Sequence, residues 1–131
     1  MQKQIRAIAT EQAPKAIGPY AQAIAAGPYL FLSGQIPIDP KAGKITATTI
    51  QEQTKQVIDN IEAILDSEGL SLLNVVRTDV YLKDMADFAE MNAIYAERFS
   101  QAAKPARTTI EAAKLPLDCK VEITCVAYRE S

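Results

Sequence analysis

"KVEITCVAYRE" (residues 120–130) decides what kind of sheet this chain builds. Alternate residues of a strand point to opposite faces. One face reads Val121, Ile123, Cys125 and Ala127, apolar throughout. The other reads Glu122, Thr124, Val126 and Tyr128, neither cleanly polar nor cleanly apolar. A sheet covered by helices on one side leaves its second face to water or to another subunit. Val126 and Tyr128 gain little from water, so the mixed face predicts a subunit contact.

The covering layer comes from two helical stretches. In "TTIQEQTKQVIDNIEAILDSE" (48–68), Ile50, Val57, Ile58, Ile61, Ile64 and Leu65 recur at three- and four-residue spacing and make one apolar stripe. Thr48 or Thr49 offers an N-cap with Glu52 as its capping-box partner, and Gly69 is a natural stop. A second helix follows Asp87, a candidate cap, with Phe88, Met91, Tyr95 and Phe99 on its buried stripe.

Strand patterns occupy the rest: residues 3–9, 20–25, 29–34, 74–84, 107–113 and 120–129, with turns at "AGP" and "DPKAG". In the fourth strand Val76, Thr78, Val80 and Leu82 share one face, and Val75, Arg77, Asp79, Tyr81 and Lys83 the other. The order β-β-β-α-β-α-β-β predicts an α+β fold: one six-stranded, mainly antiparallel sheet with both helices on a single face. At 131 residues this is one domain, 1–131.

Counts exclude much chemistry. With no His, Ser-His-Asp and Cys-His nucleophile systems are impossible. Two Cys and no His argue against a structural zinc site, and the scattered Asp residues show no metal-ligand spacing. Cys119 and Cys125, if one strand runs through both, lie ~20 Å apart, too far to bridge. They read as small buried hydrophobes. A net charge of −2 creates no field to gather nucleic acid or anionic lipid. No run reaches membrane-spanning length and the N-terminus lacks an apolar targeting segment, so the chain reads as cytoplasmic.

One strand carries an unexpected cation. In "KPARTTIEA" (104–112) the β-branched run Thr-Thr-Ile reads as a strand, yet Arg107 stands near its front, on the same face as Thr109. Glu122 lies inside the last strand, and a hairpin joining the two strands would bring Arg107 and Glu122 together. Such a pair is ordinarily structural. The alternative is a small anionic ligand, because a guanidinium presents a planar fork of donors that fits a carboxylate. Asn92 falls on or beside the buried stripe of its helix. "LSGQIP" (32–37) ordinarily reads as a turn, and Tyr20 as a packed aromatic.

Four stretches taken together, "AIGPYAQAI" (16–24), "LFLSGQIPIDPKAG" (30–43), "VYLKDMADFAEMNAIY" (80–95) and "KPARTTIEAAKLPLDCKVEI" (104–123), resemble the reactive-intermediate deaminase family, the Rid or YjgF-like proteins of archetypal RidA type. The resemblance implies a chorismate-mutase-like α+β fold and a homotrimer around a central barrel-like core, with clefts between neighbouring subunits. It implies hydrolysis of 2-aminoacrylate and 2-aminocrotonate in their imine forms, 2-iminopropanoate and 2-iminobutanoate, to 2-oxo acids and ammonia, without cofactor or metal. Such imines arise from pyridoxal-phosphate enzymes such as threonine dehydratase, on the way to isoleucine.

Carried over by the resemblance, Arg107 would hold the substrate carboxylate and Glu122 would position the attacking water. Tyr20, Ser33, Gly34 and Asn92 would line the cleft. Thr109 stands where many members have Cys, and Thr108 where Ser is commoner. A nearby Arg107 would be expected to lower the pKa of Glu122. Two other function classes compete: a small-carboxylate-binding regulatory module, and an RNA-acting translation inhibitor. The second is poorly served by the acidic charge and by basic residues that do not cluster.

Overall fold

The computed structural model describes residues 5–130. In chain order the elements are β1 (Ile5–Ile8), β2 (Ala23–Ala26), β3 (Tyr29–Gln35), β4 (Ile38–Asp39), β5 (Lys44–Ile45), α1 (Ile50–Asp66), β6 (Val75–Leu82), α2 (Phe88–Arg98), β7 (Ala106–Glu111) and β8 (Val121–Tyr128). Six strands form one sheet in the order β1-β2-β3-β8-β6-β7, and β4 and β5 make a separate two-stranded ribbon. The first predicted strand begins at residue 3, outside the described residues.

Helix α1 starts where its sequence says it should. Thr49 Oγ1 accepts from the Glu52 amide at 3.1 Å, and the Glu52 carboxylate accepts from the Thr49 amide at 3.3 Å. These backbone donors hold the Glu52 carboxyl below its ordinary pKa. Past Asp66 the chain turns away through Gly69 at φ +72, a conformation that costs a Cβ-bearing residue but not glycine. The stripe Val57, Ile58, Ile61, Ile64 and Leu65 is fully buried. Each such side chain contributes about 1.5–3 kcal/mol on leaving water.

That stripe packs on one sheet face, made of Leu30 and Leu32 of β3, Val80 and Leu82 of β6, and Val121, Ile123, Cys125 and Ala127 of β8, all buried. Helix α2 lies on the same face, because its Tyr95 bonds Thr78 of β6 at 2.7 Å. The apolar face of β8 is thus the floor of the core. Its mixed face is turned the other way, beside Tyr29, Phe31 and Tyr128, which are all exposed.

Four details depart from expectation. First, β7 and β8 do not form a hairpin. The edge strand β7 pairs parallel to β6, with Thr78 opposite Arg107 and Val80 opposite Thr109, while β8 lies antiparallel between β3 and β6. Helix α2 supplies the crossover that a parallel pair requires. Second, the register of β6 against β8 shifts between Val75 and Arg77. This bulge buries Val75 and exposes Val76, reversing the expected faces at the start of the strand. Third, the ribbon β4–β5 falls in a stretch read as a single turn, although its Gly43, at φ +73, is the turn residue foreseen. Fourth, Asp87 makes no side-chain cap. Asp84 does, accepting from the Ala86 amide at 2.8 Å at the head of a short 3-10 turn before α2.

Both cysteines are buried and unbonded to each other. Burial pushes the Cys119 thiol up to about 11 and the Cys125 thiol to about 12, so neither offers a thiolate near neutrality. No described helix is long and apolar enough to cross a membrane. Among the described residues no three Cys, Asp or Glu side chains converge as metal ligands would.

Candidate active site

The helix-covered face carries the cation. Arg107 on β7 is half-buried and points towards α2, where its Nη1 donates to Asn92 Oδ1 at 2.7 Å. The guanidinium carbon lies 4.7 Å from the centre of the Tyr95 ring and 5.6 Å from that of Phe88. Among the described residues no carboxylate lies within ion-pair distance of it, so its charge is held by an amide and two aromatic rings. Thr109, two residues along the same face, has its Oγ1 enclosed and without a hydrogen-bond partner among the described residues. Burial raises the Tyr95 phenol, against lowering by the Thr78 bond and by the Arg107 charge.

The other face carries the carboxylate. Glu122 on β8 is half-buried in a cleft of about 430 Å³ whose walls include Tyr20, Ser33, Gly34, Ile36 and Pro116. Its carboxylate accepts no hydrogen bond and has no ion partner among the described residues. Burial alone pushes its pKa up. The lowering by Arg107 expected from the sequence is absent, because the two groups do not share a face. Ser33 and Gly34 sit where pairing of β3 with β8 breaks between Leu32 and Gln35. Ser33 Oγ donates to the Ala21 carbonyl at 2.6 Å. A Cβ on Gly34 would overlap Glu122 Oε2 and stand 3.0 Å from its Cδ, so only glycine lets the carboxyl lie flat over this backbone. Tyr20 is 51% exposed, and its hydroxyl accepts from the Ile17 amide at 3.3 Å.

Register fixes the division. Arg107 aligns with Thr78 and Thr78 with Cys125, all on the helix side. Glu122 is three residues from Cys125 on β8 and so points the opposite way. Of the residues picked out from the sequence, the structure gathers Tyr20, Ser33, Gly34 and Glu122 around one cleft. It gathers Asn92, Arg107 and Thr109 on the reverse face. It does not bring the two sets together within one chain.

Sequence reasoning passed over the residues that hold each half in place. Phe88 and Tyr95 were read as core stripe, and their second task, seating a guanidinium, has no sequence signal beyond three- and four-residue spacing from Asn92. Asn60 of α1 donates to the carbonyls of Ile36 at 3.1 Å and Ile38 at 2.9 Å, pinning the cleft wall to the helix. Gln22 donates to the carbonyls of Thr10 at 3.0 Å and Pro14 at 2.8 Å and accepts from the Thr10 amide, which holds down the segment before Tyr20. A polar residue inside an apolar stripe, as Asn60 is, was the available clue. Pro116 precedes Leu117 and Asp118, both at positive φ (54 and 55), so the cleft's outer wall rests on a strained turn.

The endoribonuclease L-PSP family model matches residues 10–129, nearly all of the described chain. The chain belongs to this family, also called YjgF or Rid. Among its YjgF/Rid relatives, a RutC family protein of Pyrococcus horikoshii is 56% identical, over 94% of this chain and 97% of that one. The 2-iminobutanoate/2-iminopropanoate deaminase of Escherichia coli is 44% identical, over 95% and 98% respectively. The crystal structure of Escherichia coli TdcF with bound serine superposes at a TM-score of 0.91 with 38% identity, covering 95% of this chain and 99% of that one. The α+β architecture, with two helices on a mostly antiparallel sheet, is therefore the YjgF/Rid fold.

Proposed function

We propose that this protein hydrolyses small 2-imino acids, of the 2-iminobutanoate and 2-iminopropanoate type, to 2-oxo acids and ammonia, at sites shared between neighbouring copies in a homotrimer. The observation that carries the reading is the isolated Arg107 guanidinium, charged, half-buried and bonded to no acid. A fixed planar fork with free donors suits a small carboxylate. The 44%-identical deaminase relative supports the reaction class.

The chemistry fits the two halves if the Arg107 face of one copy meets the Glu122 cleft of the next. Arg107, steadied by Asn92, anchors the carboxylate of the imine. Glu122 accepts a proton from a water lying against the backbone at Gly34. The water oxygen bonds to C2 while the C=N π electrons move onto nitrogen. The proton held by Glu122 then passes to that nitrogen. As the C–N bond breaks and ammonia leaves, the hydroxyl oxygen forms C=O and its proton returns to Glu122, replacing the one the protonated imine brought: imine plus water gives 2-oxo acid plus ammonia. A protonated imine is already electrophilic, so positioning supplies much of the effect. The raised pKa of Glu122 makes it a better base than an ordinary surface glutamate. The exposed aromatic face of Tyr29, Phe31 and Tyr128 supports association through the uncovered side of the sheet.

The test couples the protein to a threonine dehydratase reaction with semicarbazide present, which traps the free imine. Wild type speeds 2-oxobutanoate formation and lowers the trapped fraction. No effect from wild type, or a full effect from Arg107→Ala, overturns the proposal. Loss of trapped imine without 2-oxobutanoate would instead favour a binding module.

A further inference from the structure

We propose that Phe88 and Tyr95 form an aromatic seat that sets where the Arg107 guanidinium points, making them positioning residues for carboxylate binding. The inference rests on the reading of Arg107 as a carboxylate receptor.

An arginine on an edge strand has several rotatable bonds and reaches water easily. Here it is fixed from three sides. Asn92 Oδ1 takes one Nη1 hydrogen at 2.7 Å, leaving the remaining donors of the fork for a ligand. The Tyr95 ring lies 4.7 Å from the guanidinium carbon and the Phe88 ring 5.6 Å, both within cation–π range. Tyr95 is itself immobile. It is buried, its hydroxyl shares a 2.7 Å hydrogen bond with Thr78, and its ring packs on Phe99 with centroids 4.5 Å apart. Phe88 and Tyr95 are seven residues apart and Asn92 lies between them, so one face of α2 supplies all three contacts. The rings attract the cation without neutralising it. A carboxylate in place of either ring would have occupied the fork. Aromatic seating therefore leaves the charge available and fixes its direction, which explains why arginine rather than lysine suits the position.

The seat acts on the anchored carboxylate in both the ground and the transition state, so its loss raises KM with little change in kcat. Phe88→Leu keeps apolar bulk at a half-buried position and removes the π face. It is expected to raise KM for 2-iminobutanoate, and Kd for 2-oxobutanoate by calorimetry, about two- to tenfold. Phe88→Tyr restores wild-type values. Tyr95→Phe keeps the ring but frees it from Thr78, so it lowers Tm and raises KM by less than Phe88→Leu does. In an Arg107→Ala background, Phe88→Leu changes Kd no further. In the ligand-free protein, the Arg107 guanidinium proton resonances are shifted by ring currents, and Phe88→Leu relaxes part of that shift.

An unchanged ring-current shift together with unchanged 2-oxobutanoate affinity in Phe88→Leu overturns the seat and leaves the deaminase reading standing. A protein that binds 2-oxobutanoate through this seat yet never accelerates imine hydrolysis overturns the deaminase reading and leaves the seat. An effect of Phe88→Leu that persists without Arg107 assigns Phe88 to packing alone and refutes the inference.

Discussion

If Arg107 and Glu122 act in one site, neighbouring chains must supply them, because register puts them on opposite faces of one sheet. Two weakened variants should then repair each other. Arg107→Ala keeps an intact Glu122 cleft, and Glu122→Gln keeps an intact guanidinium face. Removing the general base costs about 10²–10⁴ in rate and removing the charged carboxylate anchor about 1.5–3 kcal/mol, so each pure variant is weak beside wild type. Unfolded together at equal concentration and refolded, the chains assemble at random. A productive interface needs an Arg107→Ala chain on the cleft side and a Glu122→Gln chain on the other, which makes about one interface in four active in a closed ring. The refolded mixture should therefore recover about a quarter of the activity of wild type treated the same way. A companion mixture sharpens the test. Wild type co-refolded with an equal amount of the Arg107→Ala/Glu122→Gln double variant should show about a quarter of the activity of an all-wild-type sample with the same total number of chains, whereas sites built within one chain would show about half. The semicarbazide-coupled assay reads both. Single-variant mixtures no more active than their parents, or a companion mixture at one half, would refute the shared site.

Further predictions bear on separate parts of the site. Gly34→Ala should fold normally yet displace the Glu122 carboxyl, with a kcat loss of up to about 10²-fold measured at saturating substrate. Burial raises the Glu122 pKa, so the acid limb of the kcat/KM profile should lie above the ordinary glutamate range and disappear in Glu122→Gln. The same shift has a sign for stability: the folded state holds the Glu122 proton more tightly than the unfolded chain. Its contribution is therefore present below the unfolded pKa and lost as pH rises through the folded one. Glu122→Gln should accordingly raise Tm at neutral pH and leave it nearly unchanged in acid, by calorimetry. Leu117 is 65% exposed at φ 54, so Leu117→Gly should stabilise the protein by about 1 kcal/mol in urea titrations.

Local order was legible in the sequence, and long-range order only partly. The capping box of α1 and the stop at Gly69 are short-range chemistry, and both stand where they were read. The β8 alternation gave the covered and uncovered faces for the same reason, since side-chain parity needs no partner. What failed depended on partners. "KPARTTIEA" says strand, but nothing in it says that its neighbour is β6, parallel, rather than the strand that follows it. The bulge at Val76 leaves no mark in a run of β-branched residues, so the faces at the start of β6 were inverted. The site residues themselves came through a family likeness in blocks such as "LSGQ" and "PARTT". Their separation onto two sheet faces depended on the strand order, and with it went the expectation that Arg107 would lower the pKa of Glu122.

Strand β8 sits in the middle of the sheet and alternates between two duties. Val121 and Ile123 hold the interior together, and Glu122 between them is the proposed base. Sliding this strand by one position would drive a carboxylate into hydrocarbon and turn an isoleucine out to face the water. The energetic penalty for that error is the one that keeps the domain folded. Mutations that loosen the packing around Val121 and Ile123 should therefore blur the aim of the glutamate before they melt the protein, tying the fidelity of the chemistry to the tightness of the core.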